Sequence, residues 1–131
     1  MAHTGYATSG IRTAGLWALR VLVAAIFLLA GAMKLVGQPM MVREFEIVGL
    51  GQWFRYLTGL MEIAGATMVL VPSASALGAT VLLLVDSGAF AAQLVVLHDD
   101  WIHTVVIALL IGMLIYVQRH SLKSFLPAPR H

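Results

Sequence analysis

The sequence predicts an all-α membrane protein: a four-transmembrane-helix bundle with a short amphipathic segment between helices 1 and 2. Three observations predict it. Hydrophobic residues fill 60% of the 131 positions and charged residues only 11%, against about 25% charged in an ordinary soluble domain, and mean hydropathy is +0.92. Four stretches approach the roughly 20 mostly apolar residues that a spanning helix needs. Trp17, Trp53, Tyr56, Trp101 and Tyr116 fall within a turn or so of the ends of those stretches, at the headgroup level that amphipathic rings prefer. A soluble chain this short could not hide so much apolar surface, because a small domain leaves much of its area facing water. A water-soluble globule, a disordered tail and a nucleic-acid module are excluded. One membrane domain, 1–131, is expected, with the lipid bilayer as its first partner.

The first span is read at 14–35, with Arg20 and Lys34 inside it. Gly37-Gln38-Pro39 ends it, since proline lacks an amide hydrogen and the residue before it avoids helical angles. In the connection that follows, Met41, Phe45 and Val48 recur at i, i+4 and i+7, with Arg43, Glu44 and Glu46 between them. That pattern suits a short helix lying on the outer surface as a lid; an ordinary surface loop is the alternative. The second span, 52–71, carries Arg55 near its start and Glu62 at its middle. Pro72-Ser73-Ala74-Ser75 separates it from the third span, 75–97, which Ser75 is expected to cap and which carries Asp86 at its middle. His98-Asp99-Asp100 precedes the fourth span, 101–118, with Asp100 as an N-terminal cap and His103 as its titratable group.

Two other divisions compete with this one. The run Val21 to Ala32 could be the core of a signal peptide cut after Ala30-Gly31-Ala32, although everything downstream is also membrane-like. Ile63 to Val85 could be a single span, although Pro72 would then lie in mid-bilayer and Ser87 to Leu97 would be too short to cross. Four crossings place both termini on one side. Arg12, Arg20, Arg119, Lys123 and Arg130 collect there, against Lys34, Arg43 and Arg55 on the other side. The count of basic residues favours cytoplasmic termini.

Charges inside the spans are the informative residues. Each costs at least about 2.5–3.5 kcal/mol near the bilayer centre and therefore tends to turn inward and pair. At 1.5 Å per residue from the inner ends, Arg20 lies at about 9 Å, Glu62 at about 14 Å and Asp86 at about 16 Å. A buried cluster of Arg20, Glu62 and Asp86 is therefore expected. Lys34 either snorkels to the outer interface or turns to Glu62 or to Asp99 and Asp100. Glu62 shares its face with Thr58, Gly59, Gly65 and Ala66, and Asp86 with Ala79, Ala89 and Gln93; small residues let membrane helices approach closely. Ala74 with Gly78, and Gly88 with Ala92, have the same small-residue spacing. Two acids against one guanidinium leave one acid uncompensated, which makes Glu62 or Asp86 a candidate proton-handling group. The competing reading is a polar pin that fixes helix register.

The sequence holds no cysteine, which removes disulfides, iron–sulfur clusters and thiolate sites. No metal site is expected, because His98, Asp99, Asp100 and His103 do not place three ligands on one helical face. No histidine lies at mid-span for haem, and Met33, Met61, Met68 and Met113 read as packing residues. There is no glycine-rich nucleotide loop and no nucleophile elbow, so no catalytic activity of its own is expected. Carrying electrons would require a lipid-soluble cofactor such as a quinone.

The run Leu19-Arg20-Val21, then Phe27 and Ala30-Gly31-Ala32-Met33-Lys34-Leu35, is followed by Phe45 to Gly49, by Gly59-Leu60-Met61-Glu62-Ile63-Ala64-Gly65-Ala66 with Val71-Pro72, and by Leu77-Gly78-Ala79 and Gly88-Ala89. From about Ala18 to Arg119 this order resembles the DoxX-like family of small bacterial membrane proteins. The resemblance implies a four-helix bundle in the bacterial inner membrane. It places the family's arginine, lysine and glutamate at Arg20, Lys34 and Glu62. Asp86 departs from the family pattern, whose corresponding site is often apolar. Some members are similar to subunits of quinone-linked or other membrane oxidoreductase assemblies. Three functions compete: an accessory subunit that holds a quinone or docks a redox protein near Arg20, Lys34 and Glu62; a proton-coupled carrier of a small molecule, working as a homo-oligomer; and a scaffold without ligand chemistry.

Overall fold

A computed structural model describes residues 2–97 and 101–118, with side chains from residue 10 onward. Its elements are helices throughout: α1 (Ala2–Val36), α2 (Pro39–Val48), α3 (Gln52–Leu70), α4 (Ser75–Ala91), a π-helical turn that continues α4 (Ala92–Leu97), and α5 (Ile102–Val117). The stretches read as spans are helical almost to their expected ends, while α1 begins well before position 14. His98, Asp99, Asp100, Arg119, Lys123 and Arg130 lie outside the described residues, so the cap expected from Asp100 and the basic residues of the chain's end lie there too.

Each break has a local cause. Gly37 adopts φ +74°, and the amide of Gln38 donates to the Met33 carbonyl at 3.1 Å, the left-handed stop that glycine makes cheaply. Pro39 then opens α2 in the first turn, where its missing N–H costs nothing. Gly49, φ +83°, ends α2 with its amide on the Phe45 carbonyl. The turn at 71–74 separates α3 from α4, so Pro72 sits in a connection and not inside a helix. The cap expected from Ser75 is not made. Ala74 occupies the cap position without a side-chain bond, and the buried Ser75 hydroxyl meets no partner among the described residues.

The four long helices form a ring, α1 on α3, α3 on α4, α4 on α5 and α5 on α1. The α1–α3 and α3–α4 contacts are antiparallel and very close. A Cβ on Gly31 would sit 2.8 Å from the Gly59 carbonyl, and one on Gly78 would sit 2.7 Å from the Gly65 carbonyl. Small residues on both faces of α3 thus set its distance from two neighbours. The half of the ring farther from α2 is filled by Val23, Phe27, Val69, Leu82, Ile111 and Leu114 with alanines between them. Gly88, by contrast, has nothing near its missing side chain, so the Gly88–Ala92 pair makes no such contact.

The outward surface is apolar. Leu84 is 67% exposed and Leu109 68%. Gly10–Val36 and Ser75–Leu97 are long and apolar enough to cross a bilayer, and the second is only 11% buried, whereas the core helix of a soluble protein would be mostly covered. α5 is equally apolar but shorter, and α3 carries Arg55 and Glu62. Together with its composition, these features make the chain a membrane protein.

Gly78→Ala is expected to lower stability by about 1–3 kcal/mol, the usual cost of overpacking. The new methyl would meet backbone atoms of α3, including the Val69 nitrogen at 2.9 Å. Gly112→Ala, where a methyl meets nothing within 4 Å, should leave stability unchanged or slightly raised. Thermal unfolding of both variants in detergent checks this, and equal losses would remove the packing argument.

Candidate functional site

The half of the ring nearest α2 holds a partly open cavity of about 670 Å³. Phe27 and Ala30 of α1, Leu57 and Met61 of α3, Val85 of α4 and Ile107 of α5 give it apolar walls. α2 forms its roof through Met41, Phe45 and Val48, the same i, i+4, i+7 stripe that marks this segment as amphipathic in the sequence. The roof packs on α3, where the Gln52 side-chain amide donates to the Val42 carbonyl at 3.1 Å and the Phe45 and Phe54 rings lie 5.9 Å apart. The far edge of α2 rests on the π-helical turn. Single π turns inside helices recur at functional sites.

Six polar side chains with ionic or amide groups interrupt this apolar lining: Lys34, Glu44, Glu62, Asp86, Gln93 and His103. Lys34 and Glu62 form a salt bridge, with Nζ 2.9 Å from Oε1 and donating to Oε2 at 3.2 Å. Glu62 is 3% exposed. The pair is positioned by the glycine contact below it, since the Cβ of Lys34 lies 3.1 Å from where a Gly59 Cβ would be. Asp86 is 4% exposed, and its Oδ2 has no hydrogen-bond partner among the described residues. Its electrostatic neighbours are His103, in the first turn of α5, and Glu62. His103 is itself exposed, at the edge of the cavity.

The expected cluster of Arg20, Glu62 and Asp86 does not form. Arg20 is buried, but its Nη2 donates to Gln118 Oε1 at 2.7 Å and its guanidinium lies 4.9 Å from the Trp17 ring. The register of α1 on α3 explains this. Gly31 faces Gly59 and Ile63, and continuing the antiparallel pairing brings Leu70, the end of α3, level with about Leu22. Arg20 therefore lies about 3 Å past the end of α3 and about 21 Å along α1 from Lys34. Lys34 takes the place expected of the arginine. Of the four candidate residues, Lys34, Glu62 and Asp86 share the cavity and Arg20 sits at the opposite end of the ring.

Arg55 is the residue that sequence reasoning missed. It is buried, its Nη1 donates to the Lys34 carbonyl, its Nε donates to Gln52 Oε1 at 2.7 Å, and it stacks 4.4 Å from the Tyr56 ring. A cation on the last carbonyls of a helix is favourable, and here it also fixes the backbone that carries Lys34. The available signal was its spacing: Arg55, Gly59 and Glu62 follow one helical face. Among the described residues no group of three or more His, Asp or Glu side chains could hold a metal ion; His98, Asp99 and Asp100 lie outside them.

The sequence model described as the DoxX-like family matches residues 18–117 of the chain. No curated protein matches it, and no solved structure does.

Removing one member of a buried ion pair typically costs about 3–5 kcal/mol, because the other charge is left without compensation. Lys34→Met is expected to lower stability by about that amount, and adding Glu62→Gln to it should restore most of the loss. A double-mutant cycle on detergent-solubilised protein tests the pairing. Losses that simply add would show that the two side chains do not interact.

Proposed function

The chain belongs to the DoxX-like family, and on that premise we propose that it is a four-span protein of the bacterial inner membrane, with cytoplasmic termini, that binds a quinone in its roofed cavity as an accessory subunit of a membrane oxidoreductase system. One observation carries the reading: a cavity of about 670 Å³ with apolar walls and a few polar groups gathered at Lys34, Glu62 and Asp86. Cavities of about 300–1,000 Å³ lined this way are typical small-molecule sites. Gly88 and Ala89 line the cavity and are also exposed, which gives a membrane-dissolved ligand a sideways entrance and room for its tail.

The residues present fit a quinone. Phe27, Phe45 and Phe54 offer flat apolar surface to a ring. Lys34 has three N–H donors, and its contact with the two Glu62 oxygens leaves one available to a carbonyl. A bound quinone supplies reversible two-electron chemistry, while the chain binds and orients the ring, shields it from water through α2, and holds charge beside it at Lys34 and Glu62. A redox protein as partner and a second copy of the chain as neighbour belong to the same proposal.

Four crossings fit the alternation of the connections. Exposed single cysteines placed in this cysteine-free chain report it directly. Glu46→Cys and Trp101→Cys should react with an impermeant maleimide on intact cells. Gly10→Cys, Ser73→Cys and Val117→Cys should react only after permeabilisation. Any departure from that alternation would replace the four-span reading.

Titration of the detergent-solubilised protein with a short-chain ubiquinone should give saturable binding by calorimetry. Glu62→Gln should weaken it, and Gly88→Leu, which fills the entrance, should weaken it while leaving unfolding behaviour unchanged. No binding to the wild-type protein would favour the scaffold.

A further inference from the structure

A second concavity lies at the end of the ring away from α2. It is an open groove of about 610 Å³ between α1 and the last turns of α5. Leu16 and Leu19 of α1 and Met113 and Val117 of α5 give it apolar walls. Gly15 also lines it, and a Cβ there would meet nothing within 4 Å, so the space is not taken by protein. Met113 is 57% exposed and Val117 50%. Arg12 lines the same groove. It is exposed, and among the described residues it has no hydrogen-bond or ion-pair partner.

Charge at this end has one sign. All six acidic residues fall between Glu44 and Asp100 in the sequence. Those described, Glu44, Glu46, Glu62 and Asp86, stand on α2 or around the cavity beneath it, so none of them neutralises Arg12. Depth follows from the neighbouring ring. Trp17 marks the headgroup boundary, and Arg12 lies five residues, about 7.5 Å, toward the helix start from it. The guanidinium is thus at phosphate level, and the leucine walls rise from it toward the hydrocarbon.

From this arrangement we infer that the groove between α1 and α5 is a site for one anionic phospholipid, its phosphate held by Arg12 and an acyl chain laid against Leu16, Leu19, Met113 and Val117. A guanidinium offers paired N–H donors that match phosphate oxygens, and basic pockets between membrane helices take anionic head groups in this way. The apolar walls select a lipid over a free phosphate ion, which would make no use of them. The lone cation selects an anionic over a zwitterionic head. A choline head group brings its own cation to the phosphate, and no described acid at this end receives it. The site is separate from the cavity under α2 and does not depend on what that cavity binds.

A basic bundle end also attracts anionic lipid diffusely, so the experiment separates a groove from a field. Native mass spectrometry of the detergent-solubilised chain with equal amounts of dioleoyl phosphatidylglycerol and dioleoyl phosphatidylcholine reads the first lipid retained. The wild type should favour phosphatidylglycerol about fivefold, the worth of one arginine beside anionic lipid. Arg12→Gln should bring the two lipids near parity. Gly15→Leu keeps the charge and fills the groove, and it should also reduce phosphatidylglycerol retention. Its side chain enters open space, and leucine is the better helix former, so the fold is kept. Arg43→Gln removes an exposed cation on α2 and should change nothing. Parity in the wild type, or a preference untouched by Arg12→Gln, would overturn the inference. A loss in Arg12→Gln without one in Gly15→Leu, or an equal loss in Arg43→Gln, would also overturn it, leaving diffuse attraction alone.

Discussion

A carboxylate in the middle of an apolar helix has to be compensated, and the structure around Glu62 is organised by that requirement. Its partner, Lys34, comes from the far end of α1, so the two helices must lie at one register and close together. Gly31 and Gly59 make that approach, since a methyl on either would press on the other helix at 2.8–3.2 Å. Arg55 holds the Lys34 carbonyl from the next turn of α3. On the other face of the same helix, Gly65 and Gly78 bring α4 in equally close, and with it Asp86. The ion pair, the glycine contacts and the arginine cap form one arrangement in which each part fixes the geometry that another needs. Such coupling is what makes a buried pair costly to break one side at a time.

The same register decides what Arg20 does. Its distance along α1 from Lys34 exceeds the reach of any side chain, so it cannot neutralise Glu62 or Asp86. At the level of the last turns of α5 it finds an uncharged partner, Gln118, and a ring to lie against, Trp17. An arginine beside tryptophan at the end of a helical bundle is the arrangement expected at a headgroup boundary. The ionic side chains are thereby divided between two levels: Arg20, bonded to Gln118, toward one end, and Lys34 and Arg55 with Glu44, Glu62 and Asp86 toward the other.

Much of this was legible in the sequence, and the reasons are physical. Helix ends were readable because glycine, proline and tryptophan act locally; Gly37 and Pro39 stop and start helices whatever surrounds them. The roof helix was readable from Met41, Phe45 and Val48 because a three-residue stripe depends only on helical period. The depth of Arg20 was not readable. It was reckoned from where apolar residues begin, while the true reference is the contact of Gly31 with Gly59, a property of two helices that the hydropathy of one does not contain. Ser75 has the chemistry of a cap but stands one position late, inside the first turn. The π-helical turn leaves no composition signal, because Ala92 to Leu97 would suit an ordinary helix equally well. Arg55 was visible on the Glu62 face, yet its role depends on the end of another helix being brought to it.

Asp86 then stands apart from the rest of the polar set, and its environment shows why a cavity is needed there. Lys34 is held by both oxygens of Glu62, and the backbone takes the threonine hydroxyls. The residues beyond Asp86 that line the cavity are first small, Gly88, Ala89 and Ala92, before Gln93 and Leu97 on the π-helical turn. α2 covers that space without supplying a cation to Asp86, whose electrostatic neighbours are His103 at the rim and a like charge at Glu62. A protein that needed only stability would place an apolar side chain at this position, since replacing buried charge by well-packed hydrophobic residues is often neutral or favourable. Keeping a buried carboxylate against an apolar cavity, under a short amphipathic helix, makes sense when something enters that cavity and meets it.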